Sequence, residues 1–345
     1  MEIREHLHLP IQDSSQISDA RRRGTLLAKQ FGFSDELVGR IALVITECGT
    51  NLIKHTPEGG VIIAQVISLN DVLGIEILAL DKGPGIANPA EALRDGYSTA
   101  GSPGTGLGAI SRLSDTFDIY SMLNEGTAVL SRIWTYKSSP YPLRITSDFG
   151  ALNIPKTGEP VSGDSWAIHR EKERVLLVVA DGLGHGLGAS QASREAIKCF
   201  FENTQRDPVE IIKAMHLAIQ GTRGAVVGVA ELDLVKQQVN YAGVGNIEGS
   251  LYAGEDMSRF VSHNGTAGYD IGRVKAFSYP CPDGSIIVLS SDGLNSHLNL
   301  NRYLGLKSKD AALIAAVLFR DFNRGRDDAS VLVFKTAAKR PLVGG

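Results

Sequence analysis

The sequence predicts an α+β protein that is built from two domains. Its 345 residues exceed what one hydrophobic core usually organises, so two domains are expected from length alone. Helical periodicity dominates the beginning of the chain, whereas many short β-rich runs and few helices fill the second half. A polar, proline-bearing stretch at residues 138–144 predicts a linker. The predicted domains are residues 1–137 and 145–337, followed by a tail at 338–345.

Two helices are predicted to open the first domain, over residues 17–31 and 34–55, because apolar residues recur at helical spacing. Ser34 supplies a plausible cap for the second helix, and acidic residues follow it in the first turn. Asn70-Asp71 is a hairpin signal between two β-rich runs. The remaining predicted elements of this domain are strands over 61–68 and 72–80, a helical run over 107–113, and strands over 117–123 and 128–136.

The second domain is predicted to be rich in β-sheet, with three helices among many strands. The helical runs lie around residues 189–202, 209–220 and 311–322. The strand-like segments end near Asn153, Arg170, Asp181, Leu234, Gly245, His263, Cys281, Asp292 and Lys335.

Composition excludes several classes of function. The formal charge of −3 leaves no electrostatic footprint for nucleic acid. Three widely spaced cysteines, Cys48, Cys199 and Cys281, fit reduced thiols better than a disulfide framework. The first residues are polar and acidic, and no apolar run reaches the roughly 18 residues of a membrane span. We therefore expect a soluble, cytoplasmic protein that binds neither nucleic acid nor membrane.

A polar stripe lies on a helix that is otherwise apolar. Glu47, Asn51, Lys54 and His55 are spaced i, i+4, i+7 and i+8 and so share one face. The alternative explanation is an ordinary solvated face. Three further motifs in a fixed order favour a functional site.

The first of these motifs is an aspartate at the end of a strand. Asp81 precedes Gly83-Pro84-Gly85, a turn whose missing side chains let the backbone approach a flat ring while the carboxylate accepts a hydrogen bond from an exocyclic amine. An ordinary tight turn is the alternative. Gly104, Gly106 and Gly108 then lead into a helix N-terminus, an arrangement that attracts phosphate.

Together with Gly126-Thr127, these motifs resemble the four boxes of the GHKL ATPase superfamily, over about residues 5 to 136. The run Asp95-Gly96-Tyr97-Ser98-Thr99 further resembles the bacterial anti-sigma-factor and stressosome switch serine kinases. The resemblance implies a Bergerat-type α/β sandwich, which would make residues 1–137 an ATP-binding, kinase-like domain.

The same resemblance implies roles for individual residues. Asn51 would coordinate the Mg²⁺ that bridges the ATP triphosphate. Asp81 would recognise the adenine base, and Thr127 would support that contact. The glycines would close over the phosphates, and Glu47 would be the general base that accepts the proton of a serine or threonine hydroxyl. Arg112 would stabilise phosphate charge, although a solvated helix arginine is the commoner situation. The nucleotide-binding set is Asn51, Asp81, Gly83, Gly85, Gly104, Gly106, Gly108 and Thr127.

Several aspartates of the second half each lie beside an apolar strand. Asp181-Gly182, Asp292-Gly293 and Asp327-Asp328 follow or precede such runs, and Asp164 belongs to the same set. Any one of them would more often cap a turn. As a set, hard oxygen ligands that converge from distant strands fit Mg²⁺ or Mn²⁺.

These motifs, with Ser162-Gly163-Asp164 and Gly243-Val244-Gly245-Asn246, resemble the metal-dependent type 2C serine/threonine phosphatases of the PPM family, in their bacterial sporulation and stressosome branch. The resemblance implies a β-sandwich flanked by helices and a site with two metal ions. Asp181 would bridge the metals and the water between them, and the Gly182 carbonyl would bind one metal. Asp292 and Asp327 would complete the other, and Asp164 would hold a metal directly or through water.

Three further residues have two explanations each. Asp328 stands where the wider family often has asparagine, which makes it a weaker candidate than Asp327. His185 would donate a proton or serve as a structural donor, and Leu183 occupies the position where eukaryotic relatives carry histidine. Arg223 would recognise a phosphopeptide or belong to a polar turn.

The predicted function is a regulatory serine/threonine phosphatase fused to an ATP-binding switch kinase. Its expected cofactors are ATP, Mg²⁺ and Mn²⁺. Its expected partner is a phosphorylated serine/threonine protein of the anti-sigma antagonist or stressosome type, with a sigma factor or switch protein as a further partner. In the alternative, the N-terminal domain is an ATP-dependent binding or sensor module without catalysis. A scaffold with degenerate sites is disfavoured because every motif retains its chemically necessary residues.

Overall fold

The chain divides into two compact units, Met1–Thr146 and Ser147–Gly345. The computed structural model describes residues 2–69, 72–93, 106–135 and 148–337. The Asn70-Asp71 turn, the predicted linker and the predicted tail lie outside these ranges. Within them, no helix combines the length and the apolar character needed to cross a membrane.

The N-terminal unit is one antiparallel sheet with helices on one face. Its strands follow the order β1-β2-β3-β5-β4 across the sheet. The strands are β1 (Glu2–Ile11), β2 (Gly60–Leu69), β3 (Val72–Asp81), β4 (Thr116–Met122) and β5 (Gly126–Trp134), and the helices are α1 (Ser14–Gln30), α2 (Asp35–His55), α3 (Pro89–Ala92) and α4 (Gly106–Leu113).

Local side-chain hydrogen bonds fix where the two long helices begin. The Asp13 carboxylate accepts from the amides of Ser15 and Gln16, and the Gln16 side chain accepts from the Asp13 amide, which forms a capping box for α1. The Ser34 hydroxyl accepts from the Leu37 amide at 3.4 Å, so the predicted cap of α2 is confirmed. The buried faces of α1 and α2 pack with the sheet in one hydrophobic core.

Strand β1 corrects the prediction that two helices open the domain. It pairs antiparallel with β2 from Glu2↔Ser68 to Ile11↔Gly60. Leu9 and Ile11 enter the core, whereas His8 and Pro10 between them point to the other side. The alternation has period two, which is typical of a strand at the edge of a sheet.

A buried polar network crosses the middle of this sheet. Gln65, Glu76 and Arg132 occupy neighbouring positions on β2, β3 and β5 and are almost fully buried. Gln65 Nε2 donates to Glu76 Oε1 at 2.5 Å, and Arg132 Nε donates to Glu76 Oε2 at 2.6 Å. Since a buried charge that loses its counter-charge costs several kcal/mol, removal of Glu76 or Arg132 would destabilise this sheet.

The C-terminal unit contains two five-stranded sheets, ordered β13-β10-β9-β8-β7 and β12-β11-β14-β15-β6. The strands of the first sheet are β7 (Asp164–Arg170), β8 (Arg174–Gly182), β9 (Ala225–Asp233), β10 (Gln238–Val244) and β13 (Phe277–Pro280). Those of the second are β6 (Phe149–Ile154), β11 (Glu248–Ala253), β12 (Asp256–Arg259), β14 (Ile286–Ser290) and β15 (Ala329–Lys335). The helices are α5 (Leu187–Glu202), α6 (Pro208–Ala218) and α7 (Ala311–Phe322), with short 3₁₀ turns at Leu300–Arg302 and Leu306–Ser308.

The two sheets pack on each other and carry helices outside, as the predicted β-sandwich requires. Phe149 on β6 meets Trp166 on β7 edge to face, with ring centroids 6.1 Å apart. Helices α5 and α6 cover the first sheet, and α7 covers the second. Strand ends from both sheets therefore reach a common edge of the sandwich.

Two details of the second domain differ from the sequence prediction. The single strand-like segment predicted to end near His263 is two short strands, β11 and β12, which form a hairpin in which Ser250 pairs with Arg259. The regular pairing ends at Arg259, and His263 itself makes an isolated bridge to Val244.

The three cysteines are buried free thiols. Burial raises the pKa of Cys48 to about 12, so this thiol stays protonated.

Candidate functional sites

Helix α2 and the start of α4 bring Asn51 and Gly106, two of the predicted nucleotide-binding residues, together. Glu47 and Asn51 lie one turn apart on α2 and are half-buried, while Cys48 and Leu52 turn into the core. Gly106, the first residue of α4, packs directly on Asn51. A side chain at Gly106 would place its Cβ 2.9 Å from Asn51 Oδ1. A larger residue at this position would therefore have to displace the Asn51 side chain.

A second part of this site forms where β3 ends. The Asp81 carboxylate accepts from the Gly83 amide at 2.8 Å and from the Thr127 amide at 3.2 Å, both through Oδ1. Gly126 has φ +94°, and a Cβ there would lie 2.0 Å from the Asp81 carbonyl oxygen. The Asp81 turn and the start of β5 thus fit together only with glycine at residue 126.

Ser121 is a member of this region that the sequence did not indicate. Its hydroxyl lies 2.8 Å from the Thr127 hydroxyl and accepts from the Ile86 amide at 2.8 Å. It therefore ties the turn after Asp81 to β4 and β5. A lone serine in a strand carries no sequence signal for such a role.

The glycine motif is only partly described. Gly106 and Gly108 belong to α4, and Gly108 is buried, whereas Gly104 and the run 95–99 lie outside the described residues. Arg112 is exposed in the last turn of α4. Arg40 holds the end of that helix, because its guanidinium donates to the Leu113 carbonyl at 2.7 Å.

The C-terminal unit pairs two of its predicted aspartates directly. Asp164, the first residue of β7, is the register partner of Asp181 on β8. Asp164 is buried, and its Oδ2 accepts from the Ser291 hydroxyl at 2.6 Å. Ser291 in turn accepts from the Ser330 amide at 2.9 Å, so it links both sheets to the pair. Sequence reasoning missed Ser291, although it stands next to Asp292.

Two loops bring further carboxylates to the same edge. Asp292 follows β14, and its Oδ2 accepts from the Asn246 side chain at 2.8 Å. Asp327 and Asp328 precede β15. Asp327 is exposed, whereas Asp328 is buried and accepts from the Lys156 amide at 2.8 Å.

The carboxylates act on one another electrostatically. Burial raises the pKa of Asp181 above its usual range, and the neighbouring carboxylates of Asp164, Asp292 and Asp327 raise it further. Burial and Asp328 likewise raise the pKa of Asp164, while hydrogen bonds from Ser291 and others lower it. The pKa of Asp181 is raised further than that of Asp164, so of this pair Asp181 takes up a proton first.

The same cluster contains unsatisfied oxygen atoms. Asp164 Oδ1 and Asp328 Oδ2 are buried and, within the part of the chain that the structure describes, have no hydrogen-bond partner. A Cβ built on Gly163 would lie 2.8 Å from Asp328 Oδ2, which places that oxygen beside the Asp164 loop. Buried carboxylate oxygens without donors are costly in a protein, and a divalent cation would satisfy them. The donor set therefore fits Mg²⁺ or Mn²⁺.

The side chains are gathered but do not form a finished metal cage. Among the described residues, no group of three or more Asp, Glu, His or Cys side chains could hold a metal ion as it stands. Asp292 and Asp328 are turned toward Asn246 and the Lys156 amide. Mg²⁺ usually keeps several waters and takes only one or two carboxylates directly, so a complete protein cage is not needed.

The loop after Gly182 places the two remaining candidates beside each other. His185 Nδ1 lies 2.6 Å from Glu159 Oε1, and Arg223 Nη1 donates to the His185 carbonyl at 3.2 Å. Both candidates are exposed. Glu159 was not singled out in the sequence, although it lies only three residues before the Ser162-Gly163-Asp164 motif, because its contact with His185 joins segments 26 residues apart.

Comparison with known proteins gives each unit a relative. The profile of the histidine kinase-like ATPase domain matches residues 12–133, and that of stage II sporulation protein E (SpoIIE) matches residues 171–337. Serine/threonine-protein kinase RsbT of Bacillus subtilis (strain 168) is 36% identical over 115 residues, which are 33% of this chain and 86% of RsbT.

Phosphoserine phosphatase RsbX of the same organism is 31% identical over 146 residues, which are 41% of this chain and 72% of RsbX. A solved structure from work on the bacterial stressosome as a modular system that controls secondary messenger signaling aligns with 54% of this chain and 97% of its own. The two share 25% identity and a TM-score of 0.51. The chain therefore belongs to two families at once, as a histidine kinase-like ATPase domain of the RsbT type fused to a phosphatase domain of the SpoIIE and RsbX type.

Proposed function

We propose that the C-terminal unit removes phosphate from phosphoserine or phosphothreonine in a protein, with two divalent cations as cofactors. The observation that carries this proposal is the meeting of Asp164, Asp181, Asp292 and Asp327 at one edge of the sandwich, with Asp164 and Asp328 each retaining an unsatisfied buried oxygen. The likeness to phosphoserine phosphatase RsbX supports the same substrate class.

In this proposal Asp181, the Gly182 carbonyl, Asp164, Asp292 and Asp327 would hold the cations. When bound, the cations lower the pKa of a water molecule and neutralise charge on the phosphate. Ser291 fixes the orientation of Asp164, and Asn246 fixes that of Asp292. Asp328, which is also buried, adds negative charge that attracts cations into the cluster.

The test is phosphate release from p-nitrophenyl phosphate and from a phosphoserine peptide with added MnCl₂. Asp181→Asn keeps the shape of the side chain and removes its charge, so we expect at least a hundredfold lower rate. Asp256→Asn, at an exposed position on β12, serves as the matched control. Wild-type protein that releases no phosphate with Mn²⁺, or an Asp181→Asn variant of full activity, would refute the proposal.

For the N-terminal unit we propose ATP binding followed by transfer of the γ-phosphoryl group to a serine or threonine. Asn51 would hold Mg²⁺ on the triphosphate, and Glu47 on the same helix would accept the hydroxyl proton. The Asp81 carboxylate is held by two amides and so faces a base in a fixed orientation. The likeness to serine/threonine-protein kinase RsbT supports transfer.

The alternative is that this unit binds ATP as a sensor and transfers nothing. Glu47→Gln separates the two, because it removes the base and leaves the Asp81 region untouched. If the unit is a kinase, transfer of labelled phosphate is lost while binding of a fluorescent ATP analogue persists. Glu36→Gln, in the exposed first turn of α2, is the control. Wild-type protein that binds ATP but labels no substrate would favour the sensor.

We further propose that the substrate is a partner of the anti-sigma antagonist or stressosome type, and that a sigma factor or switch protein joins the assembly. The test substrate is a sulfate-transporter-and-anti-sigma-antagonist domain, labelled by ATP and then dephosphorylated with Mn²⁺. Phosphate release with and without ATP, in wild type and Asn51→Ala, tests whether the two units are coupled. A rate that depends on ATP in wild type alone would demonstrate coupling.

A further inference from the structure

Three large apolar side chains are exposed around the loop that follows the Asp181-Gly182 motif. Leu183 retains 40% of its accessible surface, Leu187 retains 75%, and Tyr269 retains 66%. A single exposed leucine on a protein surface is ordinary. Three of them next to a catalytic loop are less easily explained, because clustered exposed apolar groups commonly mark interaction sites.

Hydrogen bonds and close contacts show that these residues border one surface. The Leu183 amide donates to the Gly224 carbonyl at 3.0 Å. A Cβ built on Gly224 would lie 2.8 Å from the Tyr269 ring, so that ring stands over the same strand end. Leu187 begins α5 only four residues after Leu183. The loop, the start of β9 and the Tyr269 turn therefore form a continuous rim.

Arg223 lies in the centre of this rim. A Cβ on Gly188 would be 2.7 Å from Arg223 Nε, and one on Gly184 would be 3.2 Å from Arg223 Nη1, so the guanidinium lies along the loop. Its Nη1 also donates to the His185 carbonyl. Glu159 is an acidic side chain that faces this loop, and it lies against His185. The rim thus combines exposed apolar side chains with the positively charged Arg223 guanidinium. A ligand that carries a negative charge beside apolar groups would complement it.

We infer that Leu183, Leu187, Tyr269 and Arg223 form the surface that receives the segment around the phosphorylated residue of a protein substrate, with preference for apolar residues next to the phosphate. The inference rests on the proposed phosphatase function. The rim begins one residue after Gly182, so a segment that delivers its phosphate to the aspartates must pass over it. Apolar flanking residues would cover the two leucines, and Arg223 would face the negative charge of the segment.

The experiment compares two synthetic phosphoserine peptides of equal length and charge, one with leucine and one with serine on both sides of the phosphoserine. Burial of an exposed leucine against an apolar group predicts a kcat/KM about tenfold higher for the leucine peptide. Leu187→Ser and Leu183→Ser are each expected to bring this ratio close to one. Because the ratio is taken within one preparation, partial loss of metal or of folded protein cancels.

Val235→Ser is the matched control. Val235 is 67% exposed, but it follows the far end of β9, which begins at Ala225 opposite Gly182 and ends at Asp233 opposite Arg174. This variant should keep the wild-type ratio. Fluorescence anisotropy with the same labelled peptides in EDTA should show the same preference in binding, independently of hydrolysis.

Equal kcat/KM and equal binding of both peptides to wild type would overturn the inference, as would a ratio unchanged in Leu187→Ser. If Leu187→Ser instead turned a dimer into a monomer in sedimentation while the preference remained, the rim would be an interface between copies of the chain. Failure of the phosphatase function is distinguished by p-nitrophenyl phosphate, which would then be left intact by wild type with Mn²⁺.

Discussion

The two sites of this chain are built on opposite principles. Near Asp81, the carboxylate receives hydrogen bonds from two amides, and the surrounding turns interlock through Gly126. Near Asp181, carboxylates are pressed together against their mutual repulsion, and two buried oxygens receive no donor from the described residues. In the first region the protein's own amides hold the carboxylate, whereas the second gathers carboxylates whose charge a bound cation would balance.

The two sites therefore affect the stability of their domains differently. The hydrogen bonds that hold Asp81 raise the free energy of unfolding, so the nucleotide region stabilises the N-terminal unit. The aspartate cluster lowers the free energy of unfolding when no cation is bound. The stability of that region therefore depends on the metal concentration. Removal of a carboxylate from the aspartate cluster should therefore stabilise the metal-free protein, whereas disruption of the Asp81 turn should destabilise it.

The largest effect is expected from Gly126→Val in the nucleotide region. The new Cβ would lie 2.0 Å from the Asp81 carbonyl oxygen, and φ +94° disfavours a β-branched residue. We expect a loss of about 4 kcal/mol in the free energy of unfolding of the N-terminal unit, measured by urea denaturation. Gly32→Ala, also at positive φ but with no atom within 4 Å of its Cβ, should cost only about 1 kcal/mol. Equal losses would show that the Asp81 turn is not tightly interlocked.

Asp81→Asn should leave the fold intact and weaken nucleotide binding. The asparagine oxygen still accepts from the Gly83 and Thr127 amides, but the carboxylate charge that receives the adenine amine is lost. We expect the affinity for a fluorescent ATP analogue to fall by about 2 kcal/mol, roughly thirtyfold. Asp118→Asn on β4 is the control. An unchanged affinity would remove Asp81 from the nucleotide site.

Asp181→Asn tests the opposite principle in the second region. In EDTA, loss of this carboxylate relieves repulsion from Asp164, Asp292 and Asp327, so the variant should be more stable than wild type by about 1–2 kcal/mol. With Mn²⁺ the order should reverse, because wild type gains binding energy that the variant lacks. Thermal unfolding under both conditions measures this. A variant that is less stable in EDTA would show that the carboxylates are not under electrostatic strain.

The smallest effect is expected from Ser291→Ala. The variant loses the hydrogen bond to Asp164 Oδ2 and the acceptor for the Ser330 amide, which together should cost about 1 kcal/mol in EDTA. Ser296→Ala provides a control in the loop that follows. A cost near zero would mean that Ser291 is not needed to orient Asp164.

Sequence patterns predicted the parts of the molecule that depend on local chemistry. Helix α2 begins where Ser34 and two acidic residues indicated, and β3 ends at the predicted Asp81. Strand β1 escaped prediction although Leu7, Leu9 and Ile11 alternate, because its stability comes from pairing with β2, some fifty residues away. Long-range pairing of this kind leaves little trace in a local window.

The candidate site shows the same limit. The sequence ranked Asp327 above Asp328 as a metal ligand, which stays a prediction, and it gave no indication that Asp328 is buried and Asp327 exposed. The pair lies in a loop, where no regular period indicates which of two adjacent side chains faces inward. Ser121, Ser291 and Glu159 also escaped, since each acts through a contact with a remote segment. Roles for the individual ligands stay predictions until the cations are bound.

The hairpin of β7 and β8 has a consequence for which sequence changes the chain can accept. Asp164 pairs with Asp181 at one end of the ladder, and Arg170 pairs with Val175 at the other, six residue pairs or about 20 Å away. Insertions in the turn at 171–173 lengthen only a loop and leave the acidic pair in place, so a fluorescent tag would be accommodated there. A single deletion between Ser165 and Ile168 would shift the register by one and turn Asp164 to the opposite face of the sheet.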